Sequence, residues 1–143
     1  MTIRVLLVDD ETSFVETLSR RLGLRRLQVL TAASAAEALA TLDREEIDVV
    51  VLDVRMPGMG GIEATKEIRR AHPAVEVILL TGHASLEASL EGMTMGAFDY
   101  LLKPVSIDEL MYKIEDAHRR RTLRLEGARS RSDDDGERGP ESG

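Results

Sequence analysis

The sequence predicts an α/β protein: a doubly wound, five-stranded parallel sheet in the order 2-1-3-4-5, with helices on both faces. Three observations carry that expectation. Five short apolar runs lack polar alternation, the pattern of strands buried on both faces. They alternate with segments whose apolar residues recur at helical spacing, the signature of a parallel sheet wrapped by helices. Right-handed crossovers then leave few topologies open, and this order is the commonest at this length.

The central run is Ile47 to Leu52, which stops abruptly at Asp53; Arg55-Met56-Pro57-Gly58 follows and signals a turn. The first run, Ile3 to Val8, also ends on acids: Asp9, Asp10 and Glu11. Phe14, Val15, Leu18 and Leu22 form one helical stripe, with Gly23 as its expected stop. Leu27 to Ala32 is the second strand. Ser34 and Glu37 have the spacing of a capping box, opening a helix that turns Ala38, Leu39 and Leu42 inward and runs to about Arg44.

Gly60-Gly61 leads into a helix carrying Ile62, Thr65 and Ile68, closed by His72-Pro73. Val75 to Leu80 is the fourth strand, ending at Thr81-Gly82. Ala84 to Met95 is a weak helix, since Gly92 inside it costs about 1 kcal/mol relative to alanine. Phe98 to Leu102 is the fifth strand and ends at Lys103-Pro104. Ser106 and Glu109 form a second capping box, and the final helix turns Leu110, Ile114 and Ala117 inward. It is expected to end at Arg119-Arg120-Arg121, where cations suit the helix dipole. From Gly127 the chain has no large apolar residue and reads as a disordered polar and acidic tail. The division predicted is a folded domain over residues 1–122 and a helix end with tail over 123–143.

Composition narrows the function. The 143 residues include no cysteine, which removes disulfides, thiolate metal sites and thiol nucleophiles. A formal net charge of −7 argues against general binding to nucleic acid or to an anionic membrane. No apolar stretch reaches spanning length and no signal peptide is evident, so a cytoplasmic protein is expected.

In the predicted order the first and third strands are neighbours at the switch point, where open α/β sheets bind ligands. Asp9, Asp10, Asp53, Thr81 and Lys103 then share the carboxyl rim of the sheet. Three carboxylates so close repel one another and call for a cation; oxygen donors with an open face suit Mg²⁺. A carboxylate nucleophile with cations around it is what phosphoryl transfer needs.

These stretches resemble the receiver domain of two-component response regulators, a flavodoxin-like fold shared with chemotaxis regulators. The matching segments are VLLVDDE at 5–11, LDVRMPGMGG at 52–61, LLTGHAS at 79–85 and GAFDYLLKP at 96–104, within a resemblance covering roughly residues 3–120. The resemblance implies that Asp53 is the phosphoacceptor and that Asp9, Asp10, Asp53 and the backbone carbonyl of Arg55 hold Mg²⁺. It implies that Thr81 follows the phosphoryl group, that Lys103 is the counter-ion, and that Tyr100 is the switch aromatic. It implies a cis peptide bond before Pro104, and a tuning role in dephosphorylation for Arg55 and His83. The partners it implies are a sensor histidine kinase or a histidine phosphotransfer protein, and a downstream protein docking on the fourth helix, fifth strand and fifth helix. The family often has Asp or Asn where Gly60 stands.

Such a module is not an enzyme beyond its own phosphorylation and autodephosphorylation. Three other readings compete. In place of the stand-alone receiver expected, the chain could be the N-terminal receiver of a longer transcriptional regulator. A Mg²⁺-dependent phosphohydrolase with Asp53 as turnover nucleophile is disfavoured, because Arg55 occupies the place of that class's second acid. A dinucleotide-binding domain fails because Asp-Asp-Glu, not a glycine-rich turn, follows the first strand.

Overall fold

The computed structural model describes residues 2–82 and 86–138, with side chains described up to residue 130. The elements run β1 (Arg4–Val8), α1 (Thr12–Gly23), β2 (Gln28–Ala32), α2 (Ala35–Arg44), β3 (Val49–Asp53), α3 (Gly61–Ala71), β4 (Glu76–Thr81), α4 (Leu86–Thr94), β5 (Asp99–Leu102) and α5 (Ile107–Arg138). All five strands are parallel, in the order β2-β1-β3-β4-β5. The expected topology is therefore the observed one.

The sheet is buried on both sides because alternate residues of each inner strand feed two different cores. Leu6 and Val8, Val50 and Leu52, Val77 and Leu79 point to the side of α2, α3 and α4. Val5 and Leu7, Val49 and Val51, Ile78 and Leu80 point to α1 and α5, where they meet Leu18, Leu22, Leu110, Ile114 and Ala117. Every one of these strand residues is fully buried, which is why the runs show no polar alternation. No helix among the described residues is long and apolar enough to cross a membrane.

The caps explain several boundaries. Glu37 N–H donates to Ser34 Oγ at 3.2 Å, while the Glu37 carboxylate accepts from Ala33 N–H at 3.0 Å, one residue before the usual reciprocal partner. Glu109 N–H donates to Ser106 Oγ at 3.4 Å. Gly58, with φ of +78°, supplies the positive-φ position that a Pro-Gly turn requires after β3.

One local expectation holds and one needs correction. Helix α1 does end at Gly23, its last helical residue, and the positive φ (67°) that reverses the chain falls on Arg26. Arg25 N–H and Arg26 N–H donate to the Leu22 and Gly23 carbonyls, tightening the end of the helix before the chain reverses. The last helix does not stop at Arg121: α5 continues to Arg138, so residues 127–138 are helical. No proline interrupts it before Pro140, and Leu123, Arg124, Leu125, Glu126 and Ala128 are all good helix formers, so a single glycine at 127 does not end it. The start of the helix expected from Ala84 lies outside the described residues, and α4 is described from Leu86.

Candidate functional site

The parallel sheet delivers its functional side chains by strand polarity alone. β1 and β3 are adjacent, with Val8 level with Leu52, so each chain leaves the sheet at the same height. The residues that follow are Asp9 and Asp10 on one side, and Asp53 ends the other strand. Asp9, Asp10 and Asp53 each present a carboxylate oxygen within 4.8 Å of the others. Asp9 is 1% exposed and Asp53 8%, while Asp10 faces solvent.

β4 and β5 complete the rim. Thr81 ends β4 and is 1% exposed; its hydroxyl donates to the Gly82 carbonyl at 3.0 Å. Lys103 follows β5, held in line by its backbone N–H donating to Thr81 O at 2.8 Å, and its peptide bond to Pro104 is cis. Its ammonium donates to Asp9 Oδ2 at 3.0 Å and lies 3.5 Å from Asp53 Oδ1. Asp9 Oδ1 is taken by the Glu11 N–H at 3.0 Å. Asp10, Glu11, Asp53, Val54, Arg55, Thr81, Gly82 and Lys103 line a pocket of about 360 Å³.

Electrostatically the site is short of positive charge. Burial raises the Asp53 pKa above its ordinary value, and repulsion from Asp9 adds to this; the Lys103 charge and the Arg55 backbone N–H oppose the shift without cancelling it. For Lys103, burial works against the charged form, but the Asp9 hydrogen bond and the Asp53, Asp9 and Glu11 charges outweigh it and leave the pKa raised. A carboxylate pushed towards protonation beside two further acids fits a divalent cation, whose two charges one lysine does not replace.

One contributor escapes a reading of motifs. Phe14, expected only as part of the α1 stripe, lies beneath Lys103 with the ammonium 4.4 Å from its ring centroid. The signal that could have found it is its place on the first turn of α1, directly after the acids of the same rim. Gly61, the last residue of the 52–61 motif, has a steric role: a Cβ there would sit 2.5 Å from Asp53 O and 2.7 Å from Val54 Cα, so only glycine lets α3 start this close to β3. Gly60 serves as the α3 N-cap without a side-chain bond.

Tyr100 stands apart from the acids. It is partly buried on β5 and packs against the core on the α2–α3–α4 side of the sheet. Arg55 is exposed at the pocket lip. His83 lies outside the described residues.

Comparison with known proteins agrees with this geometry. Residues 5–115 match the response regulator receiver domain family. The transcriptional regulatory protein GlrR of Escherichia coli K12 is 40% identical over 113 residues, which is 79% of this chain and 26% of that protein. The DNA-binding transcriptional regulator NtrC of the same organism is 41% identical over 113 residues, 79% of this chain and 24% of that protein. The chain thus spans about a quarter of these two relatives. A solved receiver domain from Clostridium thermocellum superposes with a TM-score of 0.81 at 36% identity, covering 85% of this chain and 98% of that one. With its 2-1-3-4-5 sheet and its acidic rim, the chain belongs to the response regulator receiver domain family of two-component signalling.

Proposed function

We propose that Asp53 accepts a phosphoryl group from a phosphohistidine on a sensor histidine kinase or histidine phosphotransfer protein, and that the resulting charge switches protein–protein contacts. The observation that carries this reading is the cluster of Asp9, Asp10 and Asp53 oxygens within 4.8 Å, with the Lys103 ammonium shared between Asp9 and Asp53.

A carboxylate oxygen of Asp53 attacks phosphorus, an O–P bond forms, the N–P bond of the donor breaks, and the departing imidazole nitrogen takes up a proton. Asp9, Asp10, Asp53 and the Arg55 carbonyl are the groups that would hold Mg²⁺. When bound, Mg²⁺ supplies positive charge for the transferring oxygens and relieves the repulsion among the acids. Lys103 neutralises one further oxygen, and Phe14 fixes the position of its ammonium. The Thr81 hydroxyl leaves the Gly82 carbonyl to donate to the phosphoryl group.

The acyl phosphate adds a charge of about −1.5 to −2 at neutral pH. Withdrawal of Thr81 towards it leaves room beside β4 and β5, where Tyr100 packs, and the face of α4, β5 and α5 changes. That face carries Leu86, Leu90, Leu102 and Tyr112, all exposed, and is where a downstream protein would dock. The net charge of −7 suits protein partners over nucleic acid.

Asp53→Asn is expected to abolish Mg²⁺-dependent labelling by a small phosphodonor such as acetyl phosphate. Labelling that persists in the variant places the acceptor elsewhere.

A second reading has one observation in its favour. The curated relatives are transcriptional regulators of which the chain covers about a quarter, so the receiver could serve as the front of such a regulator. Comparing proteins retained with and without beryllofluoride separates a free-standing module, which gains a partner, from a regulatory segment, which gains none on its own.

A further inference from the structure

The far edge of the sheet, where the strands begin, carries a second set of charges with no part in the acidic pocket. Asp48 directly precedes β3, and Glu76 opens β4. Asp48 Oδ2 accepts the Arg4 backbone N–H at 2.8 Å, which ties it to β1. Glu76 is 1% exposed, and neither of its oxygens receives an aligned hydrogen bond from a described residue. The sheet thus ties down the Asp48 carboxylate, buries that of Glu76, and satisfies neither completely.

Helix α5 supplies the missing charge. Its inner stripe is apolar at Leu110, Ile114 and Ala117, each fully buried. The same stripe continues at Arg121 and Arg124, four and seven residues past Ala117, which lie on the same side of a helix. Arg121 Nε donates to Asp48 Oδ1 at 2.9 Å, and its Nη2 lies 3.6 Å from Glu46 Oε1. Arg124 Nη1 lies 3.1 Å from Glu76 Oε1 and donates to the Pro73 carbonyl at 3.1 Å. Arg69 of α3 reaches the same Glu76 oxygen from the other side, at 3.9 Å.

We propose that Arg121 and Arg124 form a latch that holds residues 122–130 of α5 in one heading, by ion pairs to the amino ends of the two strands whose carboxyl ends carry Asp53 and Thr81. Past Ala117 the helix has no apolar stripe, and a helix without tertiary support is marginal in water. The latch replaces that stripe. It also means that a displacement of β3 or β4 along its own axis reaches the extension directly. The inference rests on this edge of the sheet and stands whether or not Asp53 is the phosphoacceptor.

Hydrogen-exchange mass spectrometry on the full chain tests it, with Arg121→Ala/Arg124→Ala and Glu76→Gln as separate variants. Exchange across residues 122–130 is expected to quicken at least tenfold in each, while residues 107–117 and the strands keep their native rates. In the native protein the same segment should lose protection as NaCl rises from about 0.05 to about 0.5 M, and the double variant should show no such dependence. Unchanged exchange at 122–130 in both variants overturns the latch. So does an equal quickening of residues 107–117 and the strands, which would mean that the charges support the domain as a whole.

Discussion

Asp53 sits where its own ionisation is opposed. Because its folded pKa is raised above the ordinary 3.8 by burial and by Asp9, the folded chain binds this proton more tightly than the unfolded chain does. The group's contribution is therefore most favourable below pH 3.8 and declines as pH rises through the raised value. Replacing it with asparagine removes that opposition. In metal-free buffer at pH 7, Asp53→Asn should melt higher than the native protein: the like-charge contact with Asp9, within 4.8 Å, costs about 3–4 kcal/mol at an effective dielectric near 20, and losing the Lys103 ion pair takes back much but not all of that gain. The difference should vanish as the pH approaches 3.8, and thermal melts across that range check it. The acids themselves were legible in the sequence, because a buried strand that ends on a carboxylate is conspicuous. Phe14 was not legible as a site residue: its contact with Lys103 joins the first helix to the far end of the fifth strand, and helical spacing accounts for it equally well as core.

Among the elements, α4 shows how local propensity misleads. Gly92 reads as a defect in a weak helix, yet a Cβ there would lie 2.4 Å from Leu79 Cδ1 and 3.0 Å from Ile62 Cδ1. The glycine is what lets α4 press onto β4 and α3. Gly92→Ala should accordingly destabilise by up to about 2 kcal/mol in urea melts, because an overpacking cost of about 1–3 kcal/mol outweighs the gain of roughly 1 kcal/mol in helix propensity. A stabilised variant would show that Leu79 and Ile62 yield freely. The serine caps at Ser34 and Ser106 were readable because their chemistry is local. The length of α5 was not: the residues that hold it past Ala117 pair with Asp48 and Glu76, which no window along the helix contains.

For the molecule as a whole, the topology followed from the alternation of runs and the handedness of crossovers, and the acidic rim followed from the topology. A cation that relieves the rim should stabilise the entire domain. At ten times its Kd, Mg²⁺ is expected to add about 1.4 kcal/mol to the native protein, seen as a shift of a few degrees in melting temperature. The shift should be clearly smaller in Asp10→Asn, and equal shifts would exclude Asp10 from the cation's ligands.

The two borders of the sheet are also separated by a length that matters. From Glu76 to Thr81 the backbone climbs about 16 Å, at roughly 3.3 Å per residue. A unit charge placed at one end acts on the other with only about 1 kcal/mol at a dielectric of 20, and less once salt screens it. Reversing a 1:99 equilibrium takes about 5.5 kcal/mol. Bare field is thus too feeble a messenger across this distance, and any news passing between the borders has to be carried as movement of tightly fitted atoms.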